Sequence, residues 1–176
     1  ANGTSSVAMG GENNAGGNYA FSAGYLCSAS GTYSVALGYA SKAMTQCDHA
    51  LGNANTASGG SSTAIGASND ATQSYAVAMG YDNESSGSAA TAIGQANTAS
   101  ADSAVALGYN NTASGIRAVA IGNTNTSSGE CSIALGCNND ANGDYQIALG
   151  KDASTNDIEP FIFADGSGTN RWALGY

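Results

Sequence analysis

Val35-Ala36-Leu37-Gly38 is a four-residue phrase that returns, with small changes, from one end of the chain almost to the other. Its glycine falls at Gly10, Gly24, Gly38, Gly52, Gly66, Gly80, Gly94, Gly108, Gly122, Gly136 and Gly150, a period of 14 residues without an insertion. A repeat this short and this strict specifies a solenoid, each copy forming one coil stacked on the next. With that glycine as position 14, position 12 is Ala in every copy but one (Ser22). Position 5 is always small: Ala15, Ala29, Ala57, Ser85, Ala113 and Thr155 among them.

Composition agrees with a repeat architecture. Three Phe, one Trp and one Pro stand beside 25 Gly, so the bulk for a conventional globular core is missing. A formal net charge of -9 argues against nucleic acid and against an anionic membrane surface as partners. Abundant Gly, Ser, Asn and Thr are compatible with disorder, but a disordered chain has no reason to hold a 14-residue register. No apolar run reaches the roughly 20 residues of a membrane helix, so no direct insertion by a helix is expected. Ala1-Asn2-Gly3 has neither a methionine nor a basic leader, as expected where a leader has been removed or the chain is a fragment.

Each copy carries two strand-like stretches, at positions 9 to 13 (Tyr33-Ser34-Val35-Ala36-Leu37) and 2 to 6 (Asn110-Asn111-Thr112-Ala113-Ser114). Glycine-rich corners near positions 14 and 7 are expected to supply positive φ. Side-chain size decides which face is inside. Along the strand, positions 10 and 12 point one way and 11 and 13 the other. Alanine held at 12, against free exchange of Met, Leu and Ile at 13, marks an interior that admits one methyl. The predicted core is the alanines of positions 5 and 12, the small residues of 10, and a ladder of position-3 asparagines.

The larger residues of positions 11 and 13 are then left outside. Their stripe runs through Val35, Leu37, Ile65, Val77, Met79, Ile93, Leu107, Val119, Ile121, Ile133, Leu135, Ile147 and Leu149, about 50 Å at strand spacing. A monomer should not expose so much apolar surface, and the expected partner is the chain itself, in a closed homo-oligomer. Tyrosines border the stripe: Tyr19, Tyr33, Tyr75 and Tyr145 at position 9, Tyr25, Tyr39, Tyr81 and Tyr109 at position 1. They read either as seams between protomers or as a rim for a ligand.

Ser34-Val35-Ala36-Leu37-Gly38, Ser132-Ile133-Ala134-Leu135-Gly136 and Ala118-Val119-Ala120-Ile121-Gly122, each followed five residues on by a small residue, resemble the head repeat of YadA-like trimeric autotransporter adhesins. The resemblance covers residues 5 to about 155. It implies an all-β, left-handed parallel β-roll assembled as a homotrimer, extracellular, with an adhesive role at a bacterial surface and a host surface protein or glycan as partner. Similar repeats occur in bacteriophage tail fibres, so a virion fibre is the other setting the resemblance allows.

Residues 1–150 are thus the β-roll, its first copy truncated, and 151–176 a separate tail. There, Phe161-Ile162-Phe163-Ala164 and Arg171-Trp172-Ala173-Leu174 flank Asp165-Gly166-Ser167-Gly168-Thr169-Asn170, the pattern of a hairpin that caps the roll or begins the next module.

Residues able to do chemistry do not converge. His49, the one histidine, sits at position 11 beside Cys47 and Asp48 and reads as an interface residue, with an ion on a trimer axis as the alternative. Cys47 and Cys131 share position 9 six copies apart, about 29 Å at strand spacing, and cannot pair within a chain; Cys27 and Cys137 occupy positions 3 and 1, and free thiols are expected. Asn138-Asn139-Asp140-Ala141-Asn142-Gly143-Asp144 is like a calcium loop only superficially, because Leu149 stands where the twelfth-place Glu belongs, so a solvated turn is expected. Asn2, Asn83, Asn110 and Asn125 each begin an Asn-X-Ser/Thr sequence, frequent by chance in a chain so rich in these residues. Positions 4 and 6 give hydroxyl columns (Thr56 and Ser58, Thr98 and Ser100, Thr112 and Ser114, Thr126 and Ser128), interrupted by Lys42, Asp70, Glu84 and Asp140. The expectation is a non-enzymatic adhesive or receptor-binding fibre segment without cofactor or metal. A structural spacer and an ice- or mineral-surface binder are the alternatives.

Overall fold

The structure, a computed structural model, describes residues 1–155, 161–165 and 170–174, the last two segments and residue 155 as backbone. It is all-β, a parallel solenoid with one coil per 14-residue repeat. The chain divides into two compact units, Ala1–Ala89 and Ala90–Tyr176. In the first, the long strands Val7–Gly11, Phe21–Tyr25, Val35–Tyr39, His49–Asn53, Thr63–Ala67 and Val77–Tyr81 stack in parallel. In the second, Thr91–Gln95, Val105–Tyr109, Val119–Asn123, Ile133–Cys137 and Ile147–Lys151 do the same. Two-residue strands such as Lys42–Ala43 and Thr112–Ala113 build the opposite wall of each unit.

Register is strict. Val35 pairs with His49, Ala36 with Ala50, Leu37 with Leu51 and Gly38 with Gly52, each residue meeting its counterpart one repeat on. Alanines of positions 5 and 12 are fully buried, as at Ala43, Ala50, Ala106 and Ala113, and position 10 is buried too. The inside and outside of the coil are therefore those read from side-chain size. A methyl or a hydroxymethyl is what fits between two walls this close, which explains why alanine dominates positions 5 and 12, with Ser22, Ser85 and Ser127 as the buried exceptions.

Strand limits and corners differ from the expectation. The long strand covers positions 11 to 1, not 9 to 13, and the short one only positions 4 and 5, not 2 to 6. Glycine 14 does have positive φ, from 97° to 130°, yet it lies inside the long strand. Glycines at position 7 lack positive φ altogether. They are required by close approach, since a Cβ on Gly31 would lie 1.8 Å from the carbonyl oxygen of Thr45 in the next coil. The left-handed residues at the corners are mostly not glycine. Positions 2 and 9 have φ near 50–60° in coil after coil, as at Leu26, Ala40, Tyr19, Tyr33 and Arg117.

What holds a bulky residue in that region is the neighbouring coil. The backbone N–H of Tyr33 donates to the carbonyl of Asn18 at 2.9 Å and that of Ala40 to Tyr25 at 2.9 Å. Each left-handed residue thus closes a bond that an extended one would leave open, and the strain of the conformation, about 1–2 kcal/mol for a non-glycine residue, is offset there.

These bonds also show that the coil is two half-turns of seven residues. Left-handed residues fall at 2 and 9, buried side chains at 3 (mostly Asn) and 10 (Ala, Ser, Asp or Gln), small inward residues at 5 and 12, and close-approach glycines at 14 and in most coils at 7. The backbone bonds follow suit: Lys42 at position 4 donates to Asn55 at 2.8 Å, and Val35 at position 11 donates to Asp48 at 2.9 Å.

Beyond residue 155, the segment Phe161–Asp165 pairs in parallel with Ile147–Lys151, and Asn170–Leu174 pairs antiparallel with Phe161–Asp165. Of the expected turn from Asp165 to Asn170, residues 166–169 lie outside the described residues, as does Pro160.

Candidate functional site

Buried polar side chains fix where every outward residue points. Asn55, Asn69 and Asn83 form one run of the ladder, and Asn97, Asn111, Asn125 and Asn139 another. Asn111 is representative. Its Nδ2 donates to Asn97 Oδ1 at 3.0 Å, to Leu107 O at 2.9 Å and to Gly122 O at 2.9 Å. Its Oδ1 accepts from the N–H and Nδ2 of Asn125 at 3.0 and 2.9 Å. One carboxamide therefore bonds the coils on both sides of it. Cys27 and Ser41 replace asparagine at this position; Ser41 Oγ still donates to Gly52 O at 3.2 Å, while Cys27 is a buried thiol. All four cysteines are free thiols.

Position 10 is the equivalent site in the other half-turn. Ser34 Oγ donates to Gly31 O at 2.6 Å and Ser132 Oγ to Gly129 O at 2.8 Å, holding the position-7 corner. Asp48 does more, and its role was missed in the sequence. Fully buried, its Oδ2 accepts from Thr45 N and Oγ1 at 2.8 and 2.6 Å. Oδ1 accepts from Gly60 N at 3.0 Å and from Ser62 N and Oγ at 3.0 and 2.9 Å. Burial pushes the carboxyl up, but the bonds from Thr45 and Ser62 outweigh it and hold the group below its ordinary value. The available signal was that Asp48 is the one acid at position 10.

On this frame the stripe is drawn up as columns. In the first unit Leu37, Leu51, Ile65 and Met79 pair in register. In the second, Ile93, Leu107, Ile121, Leu135 and Leu149 do so. These residues point away from the alanine core and are half-buried to exposed, Ile93 and Leu135 at 38% and 43%. Val35 lies beside them at position 11, where the column passes through the exposed His49 and then Thr63.

All eight tyrosines named above are exposed. Tyr19 and Tyr33 stack with ring centroids 5.1 Å apart, and Tyr25 and Tyr39 at 5.9 Å. The two pairs stand at opposite ends of the same long strands, which puts them on either side of the stripe. Tyr81 and Tyr109 end their strands as Tyr25 and Tyr39 do, while Tyr75 and Tyr145 sit at left-handed corners like Tyr19 and Tyr33.

The remaining candidates stay apart. Around the acidic loop, Glu130 N donates to Asp144 Oδ1 at 2.8 Å and Asn138 Nδ2 to Asp152 Oδ1 at 2.8 Å, tying neighbouring turns together. Arg117 pairs with Glu130 at the surface. No group of three or more metal-type ligands occurs among the described residues. The hydroxyl columns run unbroken through Thr98, Thr112 and Thr126, and are broken by the exposed Lys42, Asp70 and Glu84 in the first unit.

Fold and surface together define a repeat solenoid whose large and charged residues are mostly displayed outward on a frame dominated by buried alanine and asparagine. The YadA head domain repeat matches at residues 1–25, 29–43, 50–69, 57–83, 85–111 and 113–139, which is most of the chain, and the chain belongs to that family. No curated protein matches it.

Proposed function

We propose that the chain is a non-enzymatic head segment of a trimeric adhesin, extracellular and displayed at a bacterial surface. Three parallel copies meet through the stripe: Val35, Leu37, Ile65, Met79, Ile93, Leu107, Ile121, Leu135 and Leu149 face the common axis, and the β-roll is left-handed. The observation that carries this reading is the in-register column of outward apolar side chains on a family-typical 14-residue coil. Alanine methyls bury too little area to offset about 1–2 kcal/mol of backbone entropy per residue, and the columns supply the shortfall when joined. The tail strands Phe161–Asp165 and Asn170–Leu174 close the end of the roll.

The partner beyond the trimer is a host surface protein or glycan, held on the exposed outer faces, with the tyrosines at the seams as the rim. Binding of the purified trimer to immobilised matrix proteins and to a glycan array tests this, alongside a variant with Tyr19, Tyr33, Tyr25 and Tyr39 changed to Ser. Saturable binding that the variant loses supports the reading. Trimer formation with no binding to any surface makes the chain a structural fibre spacer instead. A phage tail fibre would share the assembly and differ in the receptor.

A further inference from the structure

The geometry points to Asn110 as an acceptor for an N-linked sugar. The chain has four Asn-X-Ser/Thr sequences, and the fold sorts them. Asn83 and Asn125 are position-3 ladder residues, each 1% exposed. The Asn125 amide nitrogen donates to Asn111 Oδ1, Ile121 O and Gly136 O at 2.9, 3.0 and 2.9 Å, and that of Asn83 to Asn69 Oδ1 and Met79 O at 2.9 and 3.0 Å. A nitrogen so placed has neither free hydrogens nor room for a sugar ring. A sugar added there before folding would remove the rungs on both sides.

Asn110 stands one residue earlier in the repeat, at position 2. It is exposed, it turns the corner with φ 54°, and only its backbone N–H is bonded, to Gln95 O at 2.9 Å. On either side of the buried Asn111, Asn110 is exposed and Thr112 half-buried, and the Thr112 hydroxyl has no protein partner. Enzymes that glycosylate asparagine read the amide and the hydroxyl two residues on as one unit, and here neither side chain is tied up by a protein partner. Asn2 is exposed as well, in the first coil. The corner lies off the stripe of positions 11 and 13, beside Tyr109 at its border. The inference does not depend on the adhesive reading.

In the reaction the Asn110 amide nitrogen bonds to the anomeric carbon of a nucleoside-diphosphate sugar. The bond from that carbon to the phosphate oxygen breaks, and nucleoside diphosphate leaves as the amide loses one proton. The test uses folded protein, a purified sequon-reading N-glucosyltransferase and UDP-glucose, followed by peptide mapping. One hexose on Asn110 is expected, lost in both Asn110→Gln and Thr112→Ala, with Asn83 and Asn125 unmodified. Circular dichroism of the two variants, whose changed side chains point outward, checks that the coil is intact. An unmodified Asn110 while the enzyme modifies a short acceptor peptide in the same tube overturns the inference. Hexose on Asn125 of the folded protein overturns it too, because the fold would then not be sorting the four sites.

Discussion

Asn69 donates both its backbone N–H and its Nδ2 to the single Oδ1 of Asn55 in the preceding coil, each at 3.0 Å. One oxygen thus accepts a main-chain and a side-chain donor from the same residue, and the relation recurs between Asn111 and Asn125. Coil-to-coil register is reinforced inside the solenoid by carboxamides, beside the alanine packing and the backbone ladders.

Asn111→Asp should therefore be far more damaging than its near-identical shape suggests. The carboxylate loses three donated bonds and faces the oxygens of Asn97, Leu107 and Gly122. At about 1–3 kcal/mol for each buried group left unpaired, and more for a buried charge, the second unit should unfold or melt much lower. Thermal melts followed by circular dichroism measure this; an unchanged melting temperature would show that the ladder is incidental.

Asp48 gives the first unit an acid-sensitive joint. Its folded-state carboxyl titrates below the ordinary value, so its stabilisation is complete above the unfolded carboxylate's range and is lost as pH falls through the lower folded value. Chemical denaturation below about pH 4 should show this loss in the wild type, on a slope that Asp48→Asn flattens. Asp48→Ala at neutral pH orphans the amides of Thr45, Gly60 and Ser62 and should cost on the order of 3 kcal/mol.

Ser85 occupies position 5, where alanine is usual, and its buried hydroxyl has no hydrogen-bond partner. Ser127, at the same position, meets Ser132 Oγ at 2.5 Å. Ser85→Ala should accordingly stabilise the protein by about 1 kcal/mol, whereas Ser127→Ala should not. Denaturant melts of the two variants decide it.

Inside and outside should respond oppositely to size. Ala106→Leu or Ala120→Leu forces a branched side chain between two walls at full burial and should cost about 1–3 kcal/mol or more, and more than Leu107→Ala, which leaves a gap on the outer face of the coil. Equal tolerance at both kinds of position would mean the packing is looser than the register implies.

Much of this was legible in the sequence, for a reason visible at Ala36 and Leu37. A tight space tolerates one residue and an open one tolerates many, so the pattern of exchange separates the faces before any coordinates are known. Tyr33 and Ala40 were not legible as corners. Their left-handed backbone is held by donation to Asn18 and Tyr25 in the preceding coil, and no side-chain property announces that. The long strand runs two residues later than expected, since the glycine of position 14 looks like a corner yet lies within the strand, where the carbonyl of the next coil leaves no room for a Cβ. Asp48 carries no motif of its own, and the more reactive residue type beside it, His49, lies on the outer face.

The assembly is the central claim, and sedimentation equilibrium combined with circular dichroism tests it most directly. The wild-type chain should sediment as a trimer, and Ile93, Leu107 and Ile121 changed together to Asp should give unfolded chains, because the columns they interrupt are the apolar surface that the copies share. A compact, β-rich monomer, either from the wild type or after those three changes, would contradict it.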